Sequence, residues 1–297
     1  IPGKDSGAAR VEAGEHDPRS TMSADFLPVL APDWEATRAT LHRYAQAVGV
    51  VPRVHAVADP RWWHASLKVR PTGLVTDPMP LPGGGSAHLR MDLRDHAVHL
   101  ETSFGDHRVF SMTEGTTSTS FGDRILGAVA DLGLDGRYAR ERFESDDRAP
   151  YDPAAAETFW SALVNVASVF EEHRLSLDGT VGQVQVWPHG FDVSTEWFGT
   201  RTVDTKRHGA VQSVPSQLNL GFHPGGDEAY FYSNPWPFEG ARLLGQELPH
   251  GARWHTEGWK GAYLPYGSLA GDPEAARRLR EFAARVHELA APSLTAD

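Results

Sequence analysis

Between Ala87 and Thr102 the chain runs as two stretches of strict alternation, and this pattern constrains the fold more than any other feature. Leu89, Met91 and Leu93, then Val98 and Leu100, set apolar side chains on one face of a strand pair, while Arg90, Asp92, His99 and Glu101 fall on the other. With Asp95-His96 as a two-residue turn, Leu93 opposes Val98, Met91 opposes Leu100 and Leu89 opposes Thr102, and Asp92 meets His99 as Arg90 meets Glu101. A slip of one residue would set Met91 against His99 and Leu89 against Glu101, so both faces reject it. An antiparallel sheet with one buried and one polar face is expected.

The remaining chain supplies helices and further strands. A helix is expected from the N-cap residue Asp33 to about Val48, stopped by Gly49. Strand-like text runs from Trp62 to Val69, breaks at Pro71-Thr72-Gly73 and resumes at Leu74-Val75-Thr76. His107 to Met112 completes a meander, and Ser120 caps a helix that ends at Gly133. Asp152 and Pro153 open another helix, whose apolar face includes Phe159, Trp160, Leu163 and Phe170. Strands are expected at 181–187, 190–197, 214–222 and 228–234, with a further one near 259–264, before a final helix from Asp272-Pro273 to about Ala290.

This order repeats. Trp34 precedes Trp63, and Trp160 precedes Trp187, at nearly equal spacing, and Leu67 and Val69, or Phe191 and Val193, follow at matching offsets. The reading is an α+β fold of two related halves, 22–133 and 151–297, each a helix, an antiparallel four- or five-stranded sheet and a helix, in pseudo-twofold arrangement. A linker is expected at 134–150 and a disordered extension at 1–21.

Composition excludes several classes of function. With 40% hydrophobic and 23% charged residues the chain is globular in type. Its net charge of -11, with basic residues scattered, argues against nucleic acid as a partner. No apolar run approaches the roughly 18 residues of a membrane span. The first 21 residues lack the apolar core of a secretory signal, and a cytoplasmic location is expected. The absence of cysteine removes disulfides, thiolate metal sites, iron–sulfur clusters and a cysteine nucleophile. The sequence points to no particular cofactor.

Familiar catalytic signatures are missing: there is no P-loop, no G-x-G-x-x-G after a strand, no G-x-S-x-G and no H-E-x-x-H. Gly83-Gly84-Gly85 reads as a plain loop, since it does not precede a helix. Fifteen histidines raise the question of a metal. His88, Arg90, Asp92, His99 and Glu101 share a strand face, but Arg90 would repel a cation, so that face reads as a solvated surface of cross-strand ion pairs and no metal ligand is assigned. The aromatic strings are more suggestive. Trp63, Trp187, Tyr232 and Trp236 are the candidate ligand-binding residues, because pockets are typically aromatic with a few convergent polar groups. His64, His189, Asp192 and His223 are the candidate acid or base groups, since a histidine beside a carboxylate titrates near neutral pH. Each also has a structural reading as a core or turn residue. His189 and Asp192 would meet only if the intervening Gly-Phe turn rotates one of them.

Several strings resemble a bacterial domain family of unknown function, DUF5996: Trp62-Trp63-His64 with Gly73-Leu74, Phe159-Trp160, Trp187 with Phe191-Asp192, Phe198-Gly199-Thr200-Arg201, Gly221-Phe222-His223-Pro224-Gly225-Gly226, and Phe231-Tyr232-Ser233 with Pro235-Trp236-Pro237. The likeness covers about 33 to 270 and implies no reaction or ligand. Three readings stand: a small molecule bound, or acted on, in an aromatic and histidine-lined cleft; a protein-interaction module without catalysis; and a His/carboxylate metal-binding protein.

Overall fold

The alternation at 87–102 folds as expected by face and differently by register. In the computed structural model Met91 opposes Val98, Leu89 opposes Leu100, Arg90 opposes His99 and His88 opposes Glu101. The pairing is shifted by two residues from the expected one, which leaves every side chain on its expected face. The cause is a four-residue loop, Leu93 to His96, in place of the two-residue turn. Asp92 Oδ1 accepts hydrogen bonds from the backbone N–H of Arg94 (3.0 Å) and Asp95 (3.1 Å), and His96 takes the left-handed φ of 52° that closes the loop.

The structure describes residues 25–207, 209–225 and 228–296. The extension expected at 1–21 lies outside the described residues. The first helix, α1 (Trp34–His55), leads to strands β1 (Leu67–Arg70), β2 (Gly73–Val75), β3 (Met79–Pro80), β4 (Ser86–Asp92), β5 (Ala97–Thr102) and β6 (His107–Ser111). Two helices follow, α2 (Ser118–Ala130) and α3 (Pro153–Leu175). The next strands are β7 (Thr180–Val181), β8 (Gln185–Trp187), β9 (Asp192–Arg207), β10 (Ala210–His223) and β11 (Tyr230–Trp236). The short helix α4 (Gly240–Leu243), strands β12 (Arg253–His255) and β13 (Gly261–Pro265), and helix α5 (Ala275–Leu294) complete the chain.

Helix ends show where local rules were overridden. Gly49 does not stop α1; it lies inside the helix because a Cβ there would come within 2.5 Å of the Pro188 ring, so the glycine admits a close approach. The expected strand from Trp62 is instead a left-handed residue at Trp62 (φ 65°) and a 3-10 turn over Trp63–Ala65, with pairing beginning only at Leu67. The cap of α2 is Thr117, whose hydroxyl accepts from Ser120 N–H at 3.1 Å, three residues before the expected cap. Asp152 caps α3 as expected, accepting from Ala154 N–H at 2.9 Å.

The described strands form one antiparallel sheet of 13, in the order β12-β13-β11-β10-β9-β8-β1-β2-β4-β5-β6, with β3 beside β4 and β7 beside β9. The early and late strand series meet where Leu67 of β1 opposes Val186 of β8. Leu67, Leu89, Met91, Leu100, Val186, Val193, Leu220, Phe222, Phe231 and Leu264 share the buried core with side chains of α1, α2, α3 and α5. By strand parity the residues between them face away from the helices. The segment 134–150 is tied in through Phe143, which is fully buried against Gly122 and whose carbonyl accepts from Ser118 Oγ at 2.8 Å. Among the described residues no helix is long and apolar enough to cross a membrane.

Candidate functional site

The face without helices carries the aromatic strings. On β9 the two-residue period places Asp192, Ser194, Glu196 and Phe198 on that face. Across the pair, Gln217, Asn219 and Gly221 of β10 stand opposite Phe198, Glu196 and Ser194. On β11, Trp236, Asn234 and Tyr232 stand opposite those three in turn. The 3-10 turn after Trp62 then brings Trp63 over the edge of this patch.

Together these side chains form a groove of about 690 Å³, whose lining includes Trp62, Trp63, Trp187, Glu196, Phe198, Gln217, Asn219 and Trp236. Glu196 is the one carboxyl in its lining, only 8% exposed. Trp63 Nε1 donates to Glu196 Oε2 at 3.2 Å, Ser194 Oγ donates to Glu196 Oε1 at 3.3 Å, and Trp187 Nε1 donates to Ser194 Oγ at 3.0 Å. Burial pushes the Glu196 carboxyl above its ordinary value, against the downward pull of the Trp63, Ser194 and Trp187 donors. At the rim, the Arg61 guanidinium lies over the rings of Trp63 (5.2 Å) and Phe198 (4.9 Å).

Beside the groove Tyr232 crosses from β11 to β9 and donates its hydroxyl to Asp192 Oδ2. This crossing requires Gly221 on the intervening strand, because a Cβ there would overlap the Tyr232 ring. Burial, and secondarily the Asp192 charge, drive the Tyr232 hydroxyl well above its usual range, so it stays a donor.

The structure thus gathers Trp63, Trp187 and Trp236 at one groove, with Tyr232 bound to Asp192 beside it. The proposed acid or base histidines stand elsewhere. His64 accepts from Asp59 N–H through Nδ1 at 3.0 Å and lines a neighbouring cavity of about 260 Å³ with Lys68, Asp77 and Gln185. Burial holds its imidazole below the ordinary value. His189 lines a second neighbour of about 300 Å³ with Arg53, Trp62 and Trp187. His189 packs edge-on against Trp187, and its carbonyl accepts from His42, whereas Asp192 is turned to Tyr232. His223 lies at the end of β10 against Tyr230, its imidazole held down by burial. Trp62 and Trp187 are walls shared by the groove and the His189 cavity.

Sequence reasoning did not single out Glu196 or Lys68. A period of two from Asp192 leads to Glu196, the one carboxyl in the run Ser194 to Gly199. Lys68 is buried against Asp77 (2.9 Å) and the Trp63 carbonyl (2.6 Å), and burial lowers its ammonium below the ordinary value.

Residues 27–297 match the model of a family of unknown function, DUF5996. No curated protein and no solved structure matches the chain.

Proposed function

We propose that this chain, which belongs to the DUF5996 family, binds a small molecule in the groove on the helix-free face of its sheet. The observation that carries the reading is Glu196: a buried carboxyl at the wall of the largest cavity described, held by an indole donor of Trp63 and flanked by the amides of Gln217 and Asn219. Burying a carboxyl in a fold is costly, and a position at a cavity wall gives it a use. Indole and phenyl walls on both sides favour a ligand with a flat or ring-shaped apolar face, and the amides and carboxyl favour hydrogen-bonding groups along its edge. A net charge of -11 supports an uncharged or cationic ligand over nucleic acid. The cleft of this reading is aromatic and carboxyl-bearing, with His64 and His189 in adjoining cavities.

Ligand-observed NMR with a library of heterocyclic and cyclic polyol fragments tests the proposal. Hits should lose at least about tenfold in affinity for Glu196→Gln and for Trp236→Ala, the range of a lost hydrogen bond to a charged or aromatic site. Hits indifferent to both variants, or no hits, contradict it.

Within the same reading, the two strand series are taken as products of duplication. Support comes from each series beginning at the shared β1–β8 junction and running outward as successive antiparallel neighbours behind a long helix. Superposition of α1 with β1, β2, β4 and β5 on α3 with β8 to β11 tests it; a mismatch in strand order or direction overturns it.

A further inference from the structure

We infer that His99, Glu101 and His107 form a site for one divalent transition-metal ion, at the end of the sheet opposite β12 and separate from the groove. One ligand atom from each of the three lies within 4.8 Å of the other two. His99 and Glu101 share the helix-free face of β5 by the two-residue period, and His107 of β6 stands directly opposite Glu101. The backbone register itself assembles the cluster.

The geometry of His99 is that of a metal ligand with a supporting carboxylate. Its Nδ1 lies 2.9 Å from His107 Nε2, with the two rings stacked 8° from parallel. That contact is a hydrogen bond between the rings; two imidazole nitrogens on one tetrahedral zinc ion, each bound at about 2.0–2.1 Å, sit about 3.3 Å apart, so a metal would replace this hydrogen bond with a small widening. On its other side His99 Nε2 is 3.0 Å from Asp95 Oδ2, within ion-pair range but off the hydrogen-bond line, so this buried nitrogen lacks a well-directed partner. A carboxylate behind the second nitrogen of a ligating histidine is the usual means of fixing its tautomer. His99 is only 5% exposed, so its ring is held in place by the strands around it.

Arg90 is the competing cation. It reaches both oxygens of Glu101, at 3.1 Å to Oε1 and 3.4 Å to Oε2, while His88 Nε2 lies 2.9 Å from Oε2. A carboxylate has about four lone-pair sites, so Glu101 can keep Arg90 and still donate to a metal. Imidazole ligands select zinc, cobalt, nickel or copper over magnesium or calcium. β6 is the last strand of the sheet and His107 is exposed, so solvent can reach the site and complete the coordination.

The full chain, prepared without a histidine tag and stripped with chelator, is titrated with Zn²⁺ by calorimetry and with Co²⁺ by visible absorption. One ion per chain is expected, with a Co²⁺ d–d band. His107→Ala and Glu101→Gln should each weaken binding by at least about tenfold, and Asp95→Asn by about tenfold. His255→Ala, on β12 at the far end of the sheet, should leave it unchanged. His107 is an exposed edge residue, so its variant keeps the fold, and circular dichroism checks this. Binding that ignores His107→Ala, several ions held with no preferred site, or no binding at about 10–100 μM overturns the inference.

Discussion

Glu196 is buried at the expense of its hydration and recovers hydrogen bonds from Trp63 and Ser194. Because its folded-state pKa is raised above the unfolded one, the folded state holds the proton over the window just above the ordinary carboxylate range. Stability therefore falls as pH rises through that window, and Glu196→Gln should remove this part of the slope in urea titrations at several pH values. An unchanged slope would mean that the carboxyl is not desolvated. His173 behaves in the opposite sense. Burial, assisted by His287, pushes its imidazole down to about 4 from the ordinary 6.5, so the folded state holds fewer protons between those values. Stability is lost as pH falls through that window, on the order of 3 kcal/mol, and His173→Gln should flatten the loss. Gly199 makes a third case: a Cβ there would overlap the Leu294 carbonyl at the end of α5, so Gly199→Ala should cost about 1–3 kcal/mol in denaturant unfolding.

Among the elements, the β4–β5 hairpin shows how far a hydrophobic pattern can be read. Alternation specifies which face each residue takes, since an odd slip inverts every side chain, but it cannot distinguish registers that differ by two. Register was set by the loop, where the Asp92 carboxylate gathers two backbone N–H groups and also takes Arg90 at 2.8 Å. Asp92→Ala should lower stability by about 1–2 kcal/mol in urea unfolding, and a change within error would assign the register to side-chain packing instead. The same limit explains α1. Gly49 reads as a stop by local propensity, yet a tertiary contact with Pro188, more than a hundred residues away, uses it within the helix. Asp152-Pro153 was legible because its capping chemistry is complete within three residues.

At the scale of the whole molecule, mixed helix and sheet with antiparallel pairing was legible from periodicity, whereas the single 13-stranded sheet was not, because the β1–β8 pairing joins segments separated by some hundred residues. The aromatic residues Trp63, Trp187 and Trp236 were recognisable as a set from their chemistry, and the sheet brings them to one groove. His64 and His189 stand in cavities beside the groove, a placement their positions beside strands could not reveal. Glu196 sits in sequence between Ser194-Thr195 and Trp197-Phe198, and its place in the groove is visible only once β9, β10 and the Trp63 turn are adjacent. The sheet carries helices on one face and the groove around Glu196 on the other, and the proposed ligand binding belongs to that groove. Crystallographic soaking with the ring fragments described above tests it most directly: fragments should lie between Trp63 and Trp236 with a polar atom within hydrogen-bond distance of Glu196, whereas fragments gathering in the His189 cavity, with the groove holding only water, would contradict it.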